Sequence, residues 1–218
     1  MKYSKGKQNI ITDEFQMIRL TEGYCPHKCP WCYEWKECTT KHDFPLPAIV
    51  RRDVRISDMN ILASPLALMH IQQFEDIRVN NQVVYPHLIC GIDYRFLTDE
   101  LSEALKVSRF QKIHIAWDRK YSDQKKIRTA IRLLEIHGHR NISVFMMCNH
   151  PEISYDENVK KLNLCKYWGV KVNDCWFDNQ RSPNIKPIAW TEEQIKDFRK
   201  QVRKHNQFVN FGIDPELK

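Results

Sequence analysis

From residue 15 onward, short apolar runs alternate with helix signals, and that alternation restricts the chain to a small set of folds. Candidate strands lie at residues 15–20, 54–57, 87–91, 112–117, 142–147 and 170–173, each of strand length. Helix signals stand between them. Ser64 before Pro65 offers an N-cap with proline at the first helical position, for a helix reaching about residue 77. Thr98 precedes Asp99 and Glu100, which suit the positive end of a helix dipole, and Leu101, Ala104 and Leu105 form its apolar stripe. A helix from Ser122 places Ile127, Ala130, Ile131 and Leu134 on one face, with Gly138 as its stop. Ser154-x-x-Glu157 and Thr191-x-x-Gln194 are capping boxes, the first for a helix running to about Trp168 and Gly169. Strands joined through helices pair in parallel with right-handed crossovers, so the expected fold class is α/β with six parallel strands.

The densest chemistry lies directly after the first candidate strand. Cys25, Cys29 and Cys32 stand at C-x3-C-x2-C in a short loop that also holds Pro26 and Pro30. Thiolates this close form a ligand set, and soft sulfur selects zinc or an iron–sulfur cluster. Three ligands leave one metal position open to a substrate or cofactor. Cys38 follows six positions after Cys32, so the four together could instead close a tetrahedral zinc site, as in a nucleic-acid-binding module without catalysis. The other cysteines, Cys90, Cys148, Cys165 and Cys175, are scattered and read as small buried side chains.

Composition allows either reading. The chain has 218 residues, 42% hydrophobic and 28% charged, enough for one domain with a substantial core. A basic arm at residues 1–14 is expected to precede a single domain at 15–218. No apolar run approaches the roughly 18–20 residues of a membrane span, and the first residues lack the apolar segment of a secretory signal, so a cytoplasmic location is expected. The net charge of +7 permits a nucleic-acid or phosphorylated partner. Runs such as Arg51, Arg52 and Arg55 are more ordinarily solvated faces.

With Trp31 as the aromatic residue, C-x3-C-x-aromatic-C resembles the signature of the radical S-adenosylmethionine (radical SAM) enzymes. The resemblance implies a partial (β/α)6 barrel, TIM-like, with its active site at the C-terminal ends of parallel strands, over roughly residues 15–207. It implies that Cys25, Cys29 and Cys32 bind a [4Fe-4S] cluster whose fourth iron is chelated by S-adenosylmethionine. It further implies reductive cleavage to a 5′-deoxyadenosyl radical that abstracts hydrogen from a substrate. The electron would come from a donor such as flavodoxin or ferredoxin.

In a βα barrel, functional residues gather where strands end. Most radical SAM enzymes carry Gly-Gly-Glu after the second strand, to accept from the methionine amino group. This chain lacks it and resembles a subgroup with Asp-x-Asn-x-x-Ala-Ser, so Asp58 and Asn60 take that role or simply build the turn. Gly91-Ile92-Asp93-Tyr94-Arg95 resembles a segment of the same subgroup. Arg95 suits the methionine carboxylate, with Asp93 orienting it or accepting from the ribose; the alternative is a plain ion pair. Asp118 after the fourth strand suits the ribose hydroxyls. Met147 and Cys148 after the fifth flank the expected adenine position, and Trp31 belongs to the same cofactor site. His27, inside the cysteine loop, reads as solvated. After the sixth strand a loop at residues 176–187 mixes aromatic, amide and cationic groups, and Trp176 and Arg181 are its substrate candidates. The substrate itself is not legible; the basic charge tilts towards a nucleoside or nucleic acid.

Overall fold

The structure is a computed structural model that describes residues 8–29, 31–32, 34–118, 120–150, 152–177 and 190–211. The chain divides into two units, Met1–His27 with Glu34–Ile113, and Lys28–Tyr33 with His114–Lys218. Among the described residues no helix is long and apolar enough to cross a membrane.

In the first unit, β1 (Asn9–Ile11) pairs antiparallel with β2 (Gln16–Ile18), so part of the stretch expected as an arm is a strand. A short hairpin follows, made of β3 (Thr21–Glu22) and, after α1 (Glu34–Glu37), β4 (His42–Asp43). Then come β5 (Asp53–Ile56), α2 (Ala67–Gln72), the hairpin β6 (Arg78–Val79) and β7 (Gln82–Val83), β8 (Tyr85–Leu88) and α3 (Asp99–Val107). The sheet order is β1-β2-β5-β8, and the β2–β5 and β5–β8 pairs are parallel. Ile18, Val54, Ile56 and Leu88 are at most 2% exposed and form its core with Ile71 and Leu105. Gln16 is buried yet satisfied: its Nε2 donates to Asn9 Oδ1 and Ala48 O, and its Oε1 accepts from Val50 N.

Two expectations change here. The second helix begins at Ala67 and ends at Gln72, and Ser64 does not cap it. Ser64 Oγ accepts from Leu66 N at 3.0 Å in the turn that precedes the helix, and donates to Asp43 Oδ1 at 2.7 Å, so one hydroxyl serves a local and a tertiary partner. The β6–β7 hairpin was not anticipated. Its turn uses Asn80 and Asn81, both at positive φ, a conformation asparagine tolerates better than most residues. Thr98, by contrast, caps α3 as expected, accepting from Leu101 N at 3.2 Å.

In the second unit the order along the chain is β9 (Ile113–Ala116), α4 (Gln124–Leu133), β10 (Ile142–Cys148), α5 (Tyr155–Trp168), β11 (Lys171–Trp176) and α6 (Glu192–Phe211). The sheet order is β11-β10-β9, with β10 and β11 parallel from Ser143↔Lys171 to Cys148↔Trp176. Ser154 caps α5, and Gly169 closes it in the left-handed conformation at φ 67°. Thr191 and Gln194 form the full reciprocal box at the start of α6. The corresponding Glu157 does not bond back to Ser154; its carboxylate accepts from Tyr121 N at 2.7 Å.

Helix α6 protects the free edge of β11. Asn206 Oδ1 accepts from Val172 N at 2.9 Å while its Nδ2 donates to Val172 O at 2.7 Å, so one amide acts as a neighbouring strand. Asn206→Leu should destabilise the fold by about 1–3 kcal/mol, because two strand groups lose their partners. Urea denaturation with an unchanged m value is the measurement.

Beside it His205, 3% exposed, donates from Nε2 to Val170 O at 2.6 Å. Burial holds its imidazole below the usual 6.5, so the folded chain carries it neutral. A depressed folded value means stability that is present above about 6.5 and lost as pH falls towards the folded value. The unfolding free energy should therefore decline on acidification below about 6.5, and His205→Gln should flatten that decline.

Candidate metal centre

Strand β2 leads through Leu20 and β3 to Gly23 and the cysteine loop. Gly23 sits at φ +72°, and a Cβ there would lie 2.3 Å from Thr40 O, so only glycine fits. Tyr24 OH bonds to the Asp43 carboxylate, which also accepts from Ser64 Oγ at 2.7 Å and His70 Nε2 at 2.9 Å. Burial pushes the Asp43 carboxyl up, but the bonds from Tyr24, Ser64 and His70 bring it below the usual carboxylate range. The residue before Cys25 is thus tied to both β4 and α2. None of the eight cysteines is in a disulfide.

The loop passes from one unit to the other: Cys25 belongs to the first, Cys29 and Cys32 to the second. In the first unit, the ends of β5 and β8 bring a polar group to Cys25. Asn60 Nδ2 lies 3.7 Å from Cys25 Sγ and 3.4 Å from Asp93 Oδ2. Asp93 is held in turn by Arg95, whose backbone N and Nε donate to Oδ1 and whose Nη2 donates to Oδ2 at 2.8 Å. His27 Nε2 stands 2.8 Å from the same Oδ2. The expected solvated histidine is therefore 20% exposed in its side chain and paired with a carboxylate 66 positions away. Arg95 and Asp93 adopt the ion pair that the sequence left open.

Asp58 is 3% exposed, and its carboxylate accepts from Leu20 N, Thr21 N and Thr21 Oγ1. Burial raises its carboxyl, and the bonds from Thr21 and Leu20 oppose that rise. It fastens the end of β5 to the turn that launches the cysteine loop. Asn60 differs: its Oδ1 is buried and has no hydrogen-bond partner among the described residues. Cys38, the fourth candidate zinc ligand, accepts from Arg19 Nη2 at 3.9 Å. Among the described residues no three His, Cys, Asp or Glu side chains are grouped to hold a metal ion.

In the second unit, Cys29, Trp31 and Asp118 line one open cleft of about 360 Å³, with Lys28, Lys120 and Glu157 around it. The Trp31 ring meets His150 edge-on at 4.7 Å, and His150 meets Phe177 at 4.8 Å. Met147 and Cys148 occupy the end of β10, where Asn158 Nδ2 donates to Met147 O at 2.9 Å and to Cys148 Sγ at 3.5 Å. Burial drives the Cys148 thiol far above its ordinary value, so it stays protonated. Trp176 donates from Nε1 to Asp174 Oδ2 and lies under the Arg199 guanidinium at 4.3 Å. Arg181 and the rest of its loop from residue 178 lie outside the described residues.

Lys161 was missed. It is fully buried, 3.7 Å from Glu157 and 5.7 Å above the Trp117 ring, and donates to Trp117 O. Burial lowers its ammonium group's pKa, against the pull of Glu157 and Asp118. The signal was in α5, where Asn158 and Lys161 take positions of the stripe completed by Leu162, Cys165 and Trp168.

No protein-family model matches the chain, and no curated protein matches it. Solved structures do. One is the radical S-adenosylmethionine methyltransferase TsrM from Kitasatospora setae, with cobalamin and a [4Fe-4S] cluster bound, at TM-score 0.58 and 11% identity over 73% of this chain and 36% of that one. Another is coproporphyrinogen III oxidase (HemN) from Escherichia coli, a radical SAM enzyme, at TM-score 0.53 and 7% identity over 70% of this chain and 39% of that one. The chain spans little more than a third of either. At such identities the likeness is one of fold: this chain shares with these two enzymes an α/β fold with parallel strands.

Proposed function

We propose that the chain is a radical SAM enzyme, with Cys25, Cys29 and Cys32 as ligands of a [4Fe-4S] cluster and S-adenosylmethionine as the second cofactor. The observation that carries this reading is the C-x3-C-x-Trp-C loop, its cysteines in no disulfide, on a chain with this fold. The six βα units are proposed to form the partial (β/α)6 barrel of that family. When bound, the two cofactors supply one-electron reductive chemistry and a carbon-centred radical that removes a hydrogen atom.

The residues present fit that pair. Asn60 Oδ1 is a buried acceptor without a donor among the described residues, which suits an amino group. Asp93 sets the plane of the Arg95 guanidinium for a carboxylate. Asp58 supports both from behind by holding Leu20 and Thr21. Asp118 and Trp31 line a cleft wide enough for a nucleoside, with Asp118 as the acceptor for ribose hydroxyls and Trp31 as an apolar wall. Met147 and Cys148 are proposed beside the adenine, where a protonated Cys148 packs rather than reacts. Trp176 and Arg181 remain the substrate candidates, with a nucleoside or nucleic acid favoured by the net charge of +7. A flavodoxin or ferredoxin is the proposed electron donor.

Anaerobic reconstitution with iron and sulfide tests the reading. About four irons and four sulfides per chain are expected, with Cys38→Ser retaining the full content. One tightly bound zinc that is lost with Cys38 would contradict it.

A further inference from the structure

The amide of Asn60 faces two chemistries at once. Its Nδ2 lies within reach of Cys25 Sγ at 3.7 Å and Asp93 Oδ2 at 3.4 Å. Both are acceptors, so the amide presents its NH2 to them and turns its carbonyl oxygen the other way. That oxygen sits in a residue only 5% exposed and has no hydrogen-bond partner among the described residues. Asp93 holds the orientation, because its Oδ2 is itself fixed by His27 Nε2 and Arg95 Nη2, each at 2.8 Å. A buried acceptor kept empty by its surroundings calls for a donor from outside the chain.

We infer that Asn60 couples the two cofactors of the proposed site: its N–H donates to the Cys25 sulfur, and its Oδ1 takes the amino group of S-adenosylmethionine. The inference rests on the radical SAM reading above and adds that one side chain transmits the arrival of one cofactor to the other. An ammonium or amino donor at Oδ1 polarises the amide and makes its N–H a stronger donor. A stronger N–H···S bond stabilises electron density on the sulfur, and reduction adds electron density to the cluster, so the reduced state gains. Binding S-adenosylmethionine therefore raises the cluster's reduction potential. Because coupling is reciprocal, the reduced cluster binds S-adenosylmethionine more tightly than the oxidised one. His27 is a positioning residue in this scheme. Without it, Asp93 Oδ2 draws the Asn60 NH2 towards itself and away from Cys25.

The test is a redox titration of the reconstituted full chain, followed by electron paramagnetic resonance, with and without S-adenosylmethionine. Asn60→Asp keeps an acceptor and replaces the NH2 with a second oxygen. It should lower the resting potential and make the change on adding S-adenosylmethionine less positive than in the wild type, with iron content retained. His27→Ala leaves Asn60 in place, serves if Asn60→Asp does not take up iron, and should show a smaller change of the same sign. Wild-type potentials and a wild-type shift in both variants would overturn the coupling while leaving the enzyme reading intact. A wild-type chain that holds no cluster would overturn both.

Discussion

Replacing Cys25, Cys29 or Cys32 singly with alanine should remove the cluster's iron and all cleavage of S-adenosylmethionine, while the chain remains folded. Cluster binding and fold stability rest on different groups here. The three cysteines are half-buried and in no disulfide, and none belongs to the buried apolar core. The turn that leads into the loop is held by other groups, Gly23 against Thr40 and Tyr24 against Asp43. Losing a thiol there leaves the packing of Ile18, Val54 and Ile56 untouched, so the loss of stability should stay below about 1 kcal/mol. A cluster with only two protein thiolates, in contrast, has two exposed irons and is not retained. Metal analysis beside thermal unfolding reads both halves. A variant that keeps its iron would refute the ligand assignment, and one that unfolds would refute the separation.

Asp58→Ala should do the opposite, destabilising the first unit by roughly 3–5 kcal/mol. Its carboxylate serves two backbone N–H groups and one hydroxyl, all in a turn closed to water. Alanine would leave Leu20 N, Thr21 N and Thr21 Oγ1 without their shared acceptor and open a void behind them. Asp58→Asn should be costly too, because its NH2 would confront a backbone N–H. Denaturant unfolding at neutral pH is the measurement. A loss under 1 kcal/mol would mean that the turn finds other partners.

The caps of α3, α5 and α6 were readable because each is settled within four residues: Thr98 with Leu101, Ser154 with Glu157, Thr191 with Gln194. At Ser64 only the start of the helix was misplaced: its hydroxyl accepts from Leu66 N two residues on, but the helix begins at Ala67, and the bond to Asp43 across 21 positions had no local signal. The strands β1, β3, β4, β6 and β7 are two or three residues long, too short to show a period. The cysteine loop was legible from spacing. The groups around it were named in part, as Asn60, Asp93 and Arg95, but their connection through one carboxylate was not. His27 was named but read as solvated, because its partner lies on a different element. Such pairings exist only once β5 and β8 lie side by side, and no local pattern encodes them.

The account stands most directly on one assay. The reconstituted chain, incubated without oxygen with dithionite and S-adenosylmethionine, should release 5′-deoxyadenosine and methionine, and the Cys29→Ala variant should release neither. A chain carrying its full complement of iron and sulfide that leaves S-adenosylmethionine intact would contradict it.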